Sequence, residues 1–327
     1  MHEPTGNSIN SHRCVDTEAM AEIRDYAYSV NTRKTYDIGY RNWTRWAADH
    51  GMQAFPAEPE HLQMWLVTLA DQHMKPSTRR TYLAGVAHYH REHDGPNPAD
   101  DPRVRRLLRG LTRKSSADGY TPKQATPLRW SHIQRIADTA HQPRNNQPGG
   151  RTENADQAQQ RAKVDIAMVA VTHDAALRCN ELLALKWADI ELSQTNECGS
   201  VKIRRSKTDQ DGQGAVVPIS EFASQALARL RPDNTSTSQH IFNFSPTVLN
   251  RRIKTAARTA GINAAHISSH SLRVGMAQDL AAHGISMPGL MQAGRWKNPT
   301  TAGHYAQHLA AQHTEAAKYL KTQQSTL

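Results

Sequence analysis

The chain has 327 residues, too many for one ordinary domain and comfortable for two. A formal charge of +10 and a pI near 9.6 favour a polyanionic partner, most simply nucleic acid. No apolar run approaches the ~18 residues of a membrane span, and three cysteines (Cys14, Cys179, Cys198) without a C-x-x-C or a pairing pattern point to a reducing cytoplasm.

Residues 1–16 are polar and predict a flexible N-terminus, in which Glu3 and Asn7 do not suit a signal peptide. Residues 17–114 read as helical throughout. A first helix opens near Val30 and repeats Tyr36, Tyr40, Trp43 and Trp46 at three- and four-residue steps, an aromatic stripe made for a core. A second covers 60–72 with Leu62, Trp65, Leu66 and Leu69 inward. A third starts at 75–77, carries Arg79 and Arg80 in its first turns, and runs to His93 before Gly95-Pro96 breaks it. His88, His90 and His93 share that helix, but no carboxylate or cysteine stands in ligand register, so no metal is expected. Next, Arg103, Arg105, Arg106, Arg109, Arg113 and Lys114 alternate with Val104, Leu107, Leu108 and Leu111. One face is apolar and the other cationic, which suits a helix laid against phosphates, with Arg79 and Arg80 as further candidate DNA contacts.

Residues 115–125 are polar, contain Gly and Pro, and predict a linker to a second domain over 126–327. A helix is predicted over 131–139. Residues 142–162, rich in Gln, Asn, Pro and Gly and lacking an apolar face, read as a surface-loop insertion ahead of an apolar helix at 164–176. Arg178 follows that helix, and an arginine there is costly unless it is paired. Taken alone, a pair with Glu181 that pins the turn accounts for both residues. Strands over 186–192, 201–205 and 215–219, with a β-turn at 206–212, predict a small antiparallel sheet. Helices over 222–230 and 246–260 come next, the second with Arg251 and Arg252 as candidate DNA contacts.

The segment from His266 to Tyr305 concentrates the chemistry. Ser268 or Ser269 caps a helix from about His270, Gly284 stops it, a short helix over 287–293 ends at Gly294, and Pro299 opens a third that carries Tyr305. His270 and Arg273 share one helical face. An imidazole, a guanidinium, an indole (Trp296) and a phenol on consecutive helices suit attack of a tyrosine on a DNA phosphodiester. The phenol is the nucleophile, the guanidinium neutralises charge on the non-bridging oxygens, and the other two add donors or a base.

His270-x-x-Arg273, then Gly294-Arg295-Trp296 with Trp296 23 residues past Arg273, then Tyr305 nine further on, resemble the tyrosine recombinase (phage integrase) family, with the spacings of its Cre-like members and tryptophan in the third motif. Leu177, Arg178, Glu181 and Leu182 match the family's G-L-R-x-x-E-L, with Ala176 in place of glycine. Ser77, Thr78, Arg80 and Leu83 match its core-binding domain more diffusely.

The resemblance implies a mainly α fold with a small antiparallel β-sheet (α+β). A helical core-binding domain and a catalytic domain would form a C-shaped clamp on double-stranded DNA. It implies that Tyr305 forms a 3′-phosphotyrosyl link, that Arg178 and Arg273 grip the scissile phosphate, and that Lys207 on the β-hairpin protonates the leaving 5′-oxygen. His270 would assist proton transfer, Trp296 would donate its indole N–H, and Glu181 would orient its neighbours. Neither a metal nor a cofactor is implied. The partners implied are paired inverted half-sites and a homotetramer built on DNA from monomers, with helix 306–321 docking on a neighbour. A cytoplasmic location on prokaryotic nucleoid, plasmid or phage DNA follows. A type IB topoisomerase and a non-catalytic DNA-binding regulator are the rival readings, and a metal-dependent nuclease would need clustered carboxylates that the sequence lacks.

Overall fold

A computed structural model describes residues 27–122, 124–145, 152–192, 198–204, 214–306, 316–317 and 319–320. The chain divides into two compact units, the first ending at Pro122 and the second starting at Lys123. In the first, Ser29 caps α1 (Val30–Asp49) by accepting the Thr32 N–H at 3.2 Å. Proline, which has no N–H to leave unpaired, opens α2 (Pro59–Asp71), α3 (Pro76–Glu92) and α4 (Pro102–Ala117). The aromatic stripe of α1 becomes core. Trp43 and Trp46 stack with centroids 5.6 Å apart, Trp65 of α2 meets Trp43 edge-on at 5.4 Å, and Leu62, Leu66 and Leu69 complete the cluster.

One histidine of α3 is structural. His90 is fully buried; its Nδ1–H donates to the Val86 carbonyl at 2.8 Å and its Nε2 accepts the Ala57 N–H at 2.9 Å. Both ring nitrogens are therefore in use. Among the described residues, no three His, Cys, Asp or Glu side chains group as metal ligands, and no helix is long and apolar enough to cross a membrane.

The helix α4 continues to Ala117, past the expected start of the linker at 115. Ser115 and Ser116 donate their hydroxyls to the Leu111 and Thr112 carbonyls one turn back, at 2.8 and 3.2 Å, so these polar residues do not end the helix.

The second unit holds α5 (Trp130–Thr139), α6 (Ala155–Asp174), α7 (Cys179–Ala184), β1 (Ile190–Glu191), β2 (Gly199–Ile203), β3 (Ala215–Ile219), α8 (Glu221–Leu230), α9 (Pro246–Thr259), α10 (Ser269–Ala282), α11 (Met287–Gly294) and α12 (Pro299–Ala306). The sheet runs β1-β2-β3, antiparallel throughout, with Val201 opposite both Ile190 and Val217. Of the strand expected over 186–192, only Ile190 and Glu191 join the sheet, because Trp187–Asp189 winds into a 3-10 turn first. The predicted turn at 206–212, with Lys207, lies outside the described residues.

The helix α6 starts nine residues earlier than the apolar pattern at 164 suggests. Asn154 accepts the Gln157 N–H at 2.8 Å while the Gln157 side chain accepts the Asn154 N–H at 3.1 Å, a reciprocal cap. Its first turns bury Ala158, Ala162 and Asp165 rather than large apolar groups. Asp165, fully buried, pairs with Arg144 at 2.8 Å, Arg161 at 3.4 Å and Arg252 at 2.8 Å, and Arg161 also holds Glu153 at 2.9 Å. The described parts of 142–162 are thus fastened by buried ion pairs and helix, which corrects the surface-loop expectation. Farther along, Ala167 to Val171 lie wholly in the core, and α6 packs on α8 and α10.

Two features bring α10 to the end of α6. A Cβ on Gly275 would lie 1.8 Å from the Leu128 carbonyl oxygen, so only glycine admits the approach, and the Leu128 N–H donates to the Ser271 carbonyl at 2.8 Å. Asp279 then accepts from Arg129 Nε at 2.7 Å, the Trp130 N–H at 2.7 Å and His173 Nε2 at 3.1 Å. His173 is one residue from the C-terminus of α6, and the chain leads from there to Arg178.

Candidate active site

Between α6 and α7 the backbone turns sharply at Ala176, whose φ of 44° is left-handed. Its carbonyl accepts from the guanidiniums of Arg273 and, at 3.1 Å, of Arg295. A side-chain-bearing residue in this conformation costs roughly 1–2 kcal/mol. Ala176→Gly should therefore stabilise the fold by about 1 kcal/mol net of the entropy that glycine adds to the unfolded chain, raising Tm by ~2–4 °C. A melting curve showing a lower Tm would contradict that account.

Arg178 sits at the N-terminus of α7 and donates to Glu181 twice, from NH1 to Oε1 at 2.6 Å and from its backbone N–H to Oε2 at 3.0 Å. Arg295 donates to Glu181 Oε2 at 2.8 Å. Burial alone would raise the Glu181 pKa, but the Arg178 N–H and the charges of Arg295 and Arg178 outweigh it and hold the carboxyl below its usual range. Glu181 is therefore an anion at neutral pH.

The capping of α10 involves Ser271, whose hydroxyl accepts the Ser268 N–H at 3.0 Å, and the helix presents His270 and Arg273 as its spacing requires. Arg273 is buried, donating from NH1 to the Ala176 carbonyl and from NH2 to the Gly294 carbonyl. Among the described residues, two of its five N–H donors are thus occupied. Burial, then the charges of Arg178 and Arg295, bring its pKa down to about 10, which still leaves it cationic at neutral pH.

Trp296 is the platform of the site. The Arg273 guanidinium lies 4.8 Å from its ring centre, and Tyr305 stacks on it at 5.0 Å with 25° between the planes. The His270 ring is 5.2 Å from that of Tyr305. Ala277 and Ala302 close around the indole, which fixes α12 and its tyrosine.

The structure therefore brings Arg178, Glu181, His270, Arg273, Trp296 and Tyr305 into one linked cluster. Partial burial and the neighbouring charges of Arg273 and Arg178 lower the His270 pKa. Its imidazole is neutral at pH 7 and can accept a proton. A reaction that needs this base should then stay near its plateau down to about pH 6.5, the usual histidine value, and fall only below it. A pH–rate profile of cleavage whose His270-dependent limb lies above that value would contradict this assignment.

Arg295, read as part of the Gly294-Arg295-Trp296 motif but given no role there, joins the cluster through Glu181. Gly294 reads as a helix stop, yet it is the last helical residue, and the left-handed cap is Arg295, with φ 52° and ψ 46°. Gly294 is needed for another reason: a Cβ there would lie 2.1 Å from Trp296 Cζ3. The available signal was the cation between two recognisable motif residues.

Residues 151–312, which contain every member of this cluster, match the model of the phage integrase family. The chain belongs to that family. Recombinase cre of Escherichia phage P1 is 23% identical to it over 308 residues, 86% of this chain and 85% of the relative. The integrase/recombinase xerD homolog of Selenomonas ruminantium is 24% identical over 297 residues, 84% of this chain and 81% of its own. Among solved structures, XerH site-specific recombinase bound to palindromic difH substrate superimposes with a TM-score of 0.62 at 14% identity, covering 88% of this chain and 79% of that one. The mainly helical fold with a small antiparallel sheet is thus the phage integrase fold.

In this phage integrase-family chain, the predicted DNA-contacting arginines divide by where they point. Arg79 is 1% exposed, and its NH2 donates to Ser115 Oγ at 2.6 Å, so it ties α3 to α4 and is no surface contact. Arg252 turns inward to Asp165 and lies over the Phe244 ring. The burial of Arg79 is a correction: formal charge says nothing of direction. Arg80, Arg109 and Arg113 line a cleft of about 200 Å³ between α3 and α4, while Arg106 and Arg251 are exposed. Arg103, Arg105 and Lys114 also lie at the surface, but acids just beyond the helix pair with them: Asp101, Asp100 and Asp118. The cationic face is therefore densest in its middle turns.

Proposed function

We propose that this chain is a site-specific DNA recombinase that cuts and rejoins duplex DNA through Tyr305. The observation that carries the reading is the Tyr305 ring resting on Trp296, beside His270, with the Arg273 guanidinium on the same indole. Arg178 and Arg273 flank the scissile phosphate and take up its developing charge. Tyr305 Oη attacks phosphorus and gives its proton to neutral His270. The bond to the 5′-oxygen breaks as the Oη–P bond forms, and Lys207 supplies the proton that the leaving oxygen needs. The product is a 3′-phosphotyrosyl link and a free 5′-hydroxyl. That link keeps the energy of the broken bond, so rejoining needs no nucleotide, and the guanidiniums supply charge that a metal would otherwise bring.

A nicked (suicide) site incubated with the protein in EDTA should accumulate covalent adduct. Abolition by EDTA with restoration by magnesium would rule out the tyrosine mechanism as stated. Exchange between two duplexes requires four cuts, so the active assembly is a tetramer on paired inverted half-sites. Deleting the residues after Gln307 should spare half-site binding and remove cooperative binding and recombination. Gel-shift titration on half and full sites decides this: unchanged cooperativity with full recombination excludes the C-terminal segment as the joint. Efficient relaxation of any supercoiled plasmid by monomers would instead favour a type IB topoisomerase.

A further inference from the structure

Arg295 holds a backbone conformation that costs nothing to glycine and disfavours every side-chain-bearing residue, so its guanidinium must contribute something glycine cannot. The side chain is 11% exposed. NH1 donates to the Ala175 carbonyl at 2.8 Å, and NH2 donates to the Ala176 carbonyl at 3.1 Å and to Glu181 Oε2 at 2.8 Å. It thus grips the turn before Arg178 at two carbonyls and the carboxylate that Arg178 also holds.

We propose that Arg295 is a positioning residue for DNA cleavage, engaging Glu181 so that Arg178 and Arg273 keep their charges for the transition state. The proposal rests on the reading of Tyr305 as nucleophile. Among the described residues, three guanidiniums meet one carboxylate here, leaving two positive charges. A phosphodiester carries one negative charge, whereas its five-coordinate transition state, formed by attack of a phenolate, carries two. Without Arg295 these guanidiniums and the carboxylate net to one positive charge, so the charge growing on the phosphoryl oxygens is met less well than the ground state's. Losing Arg295 should therefore slow chemistry and leave DNA affinity nearly untouched.

The test compares R295Q, R295G and the double variant E181Q/R295Q with the parent chain on a suicide site and a half-site. Adduct rates are taken per DNA-bound protein, so a loss of folded material does not register as a loss of rate. R295Q and R295G should form adduct at least about tenfold more slowly, with half-site Kd within about threefold of the parent. Glycine suits the left-handed position, so slow cleavage by R295G cannot be assigned to backbone strain at residue 295. Removing the carboxylate together with the guanidinium restores the charge difference, and E181Q/R295Q should recover at least about threefold of the lost rate. Parent-like rates in R295G, or a double variant no faster than R295Q, would overturn the proposal and leave Arg295 a packing residue. A parent chain that forms no Tyr305-dependent adduct would overturn the nucleophile assignment instead, so the two failures are distinguishable.

Discussion

Tyr305→Phe protein should bind its DNA site as tightly as the parent and form no covalent adduct at all. The substitution removes one oxygen and keeps the ring. The ring is what packs: it stacks on Trp296 at 5.0 Å, lies 5.2 Å from His270, and joins the small cluster of Ala277, Trp296 and Ala302. A loss of stability beyond ~0.5 kcal/mol is therefore not expected. None of the cationic surface changes, so affinity and its salt dependence should hold. Chemistry has no such reserve, because the attacking atom is gone and the remaining groups only stabilise charge. Tyr319→Phe is the matching control. Tyr319 is 63% exposed and lies fourteen residues past Tyr305, so its variant should cleave as the parent does. Denaturing gels of a labelled suicide site read the outcome directly. A protein-linked band with Tyr305→Phe would end the assignment, and its loss with Tyr319→Phe would move it.

Much of this arrangement is legible in the sequence where one residue type has one physical use. The aromatic steps from Tyr36 to Trp46 read as a helical core stripe; Trp43 and Trp46 are buried accordingly, and Tyr36 and Tyr40 are half-buried. Ser268 and Pro299 are placed where caps and first turns require them, so α10 and α12 start within a residue of expectation. The side chains of His270, Arg273, Trp296 and Tyr305 meet because those helices are held as their spacing suggests. What escapes is decided by tertiary contact. Arg295 takes a left-handed φ because carbonyls of the distant Ala175 and Ala176 and the Glu181 carboxylate receive its guanidinium. Nothing local announces this. Arg79 looks like a DNA contact in a basic chain until it is seen to be buried and held on Ser115. The start of α6 escapes for a related reason. Its buried face is Ala158, Ala162 and Asp165, and hydrophobic periodicity does not register alanine and a paired aspartate.

That ionic start of α6 carries the second large effect. Asp165→Asn should destabilise the second unit severely while leaving every catalytic side chain in place. Asp165 is fully buried and receives Arg144, Arg161 and Arg252, whose side chains are 7%, 11% and 26% exposed. An asparagine keeps the volume, removes the charge, and turns one acceptor into a donor facing guanidiniums. Breaking a buried ion pair from one side typically costs about 3–5 kcal/mol, because the partner is left charged and desolvated. In a unit of this size that corresponds to a fall in Tm of roughly 6–20 °C. The three arginines should not share the cost equally. Arg252 is partly exposed and can swing toward solvent, and Arg161 keeps Glu153 at 2.9 Å. Arg144 has neither recourse, and burial already lowers its pKa against the opposing pull of Asp165. Arg144→Met in the Asp165→Asn background should therefore recover part of the lost Tm, whereas Arg252→Met in that background should recover little. A change of under 2 °C for Asp165→Asn would mean that the cluster is not the fastening of the described parts of 142–162. Equal rescue by both methionines would mean that depth of burial is not what sets the cost.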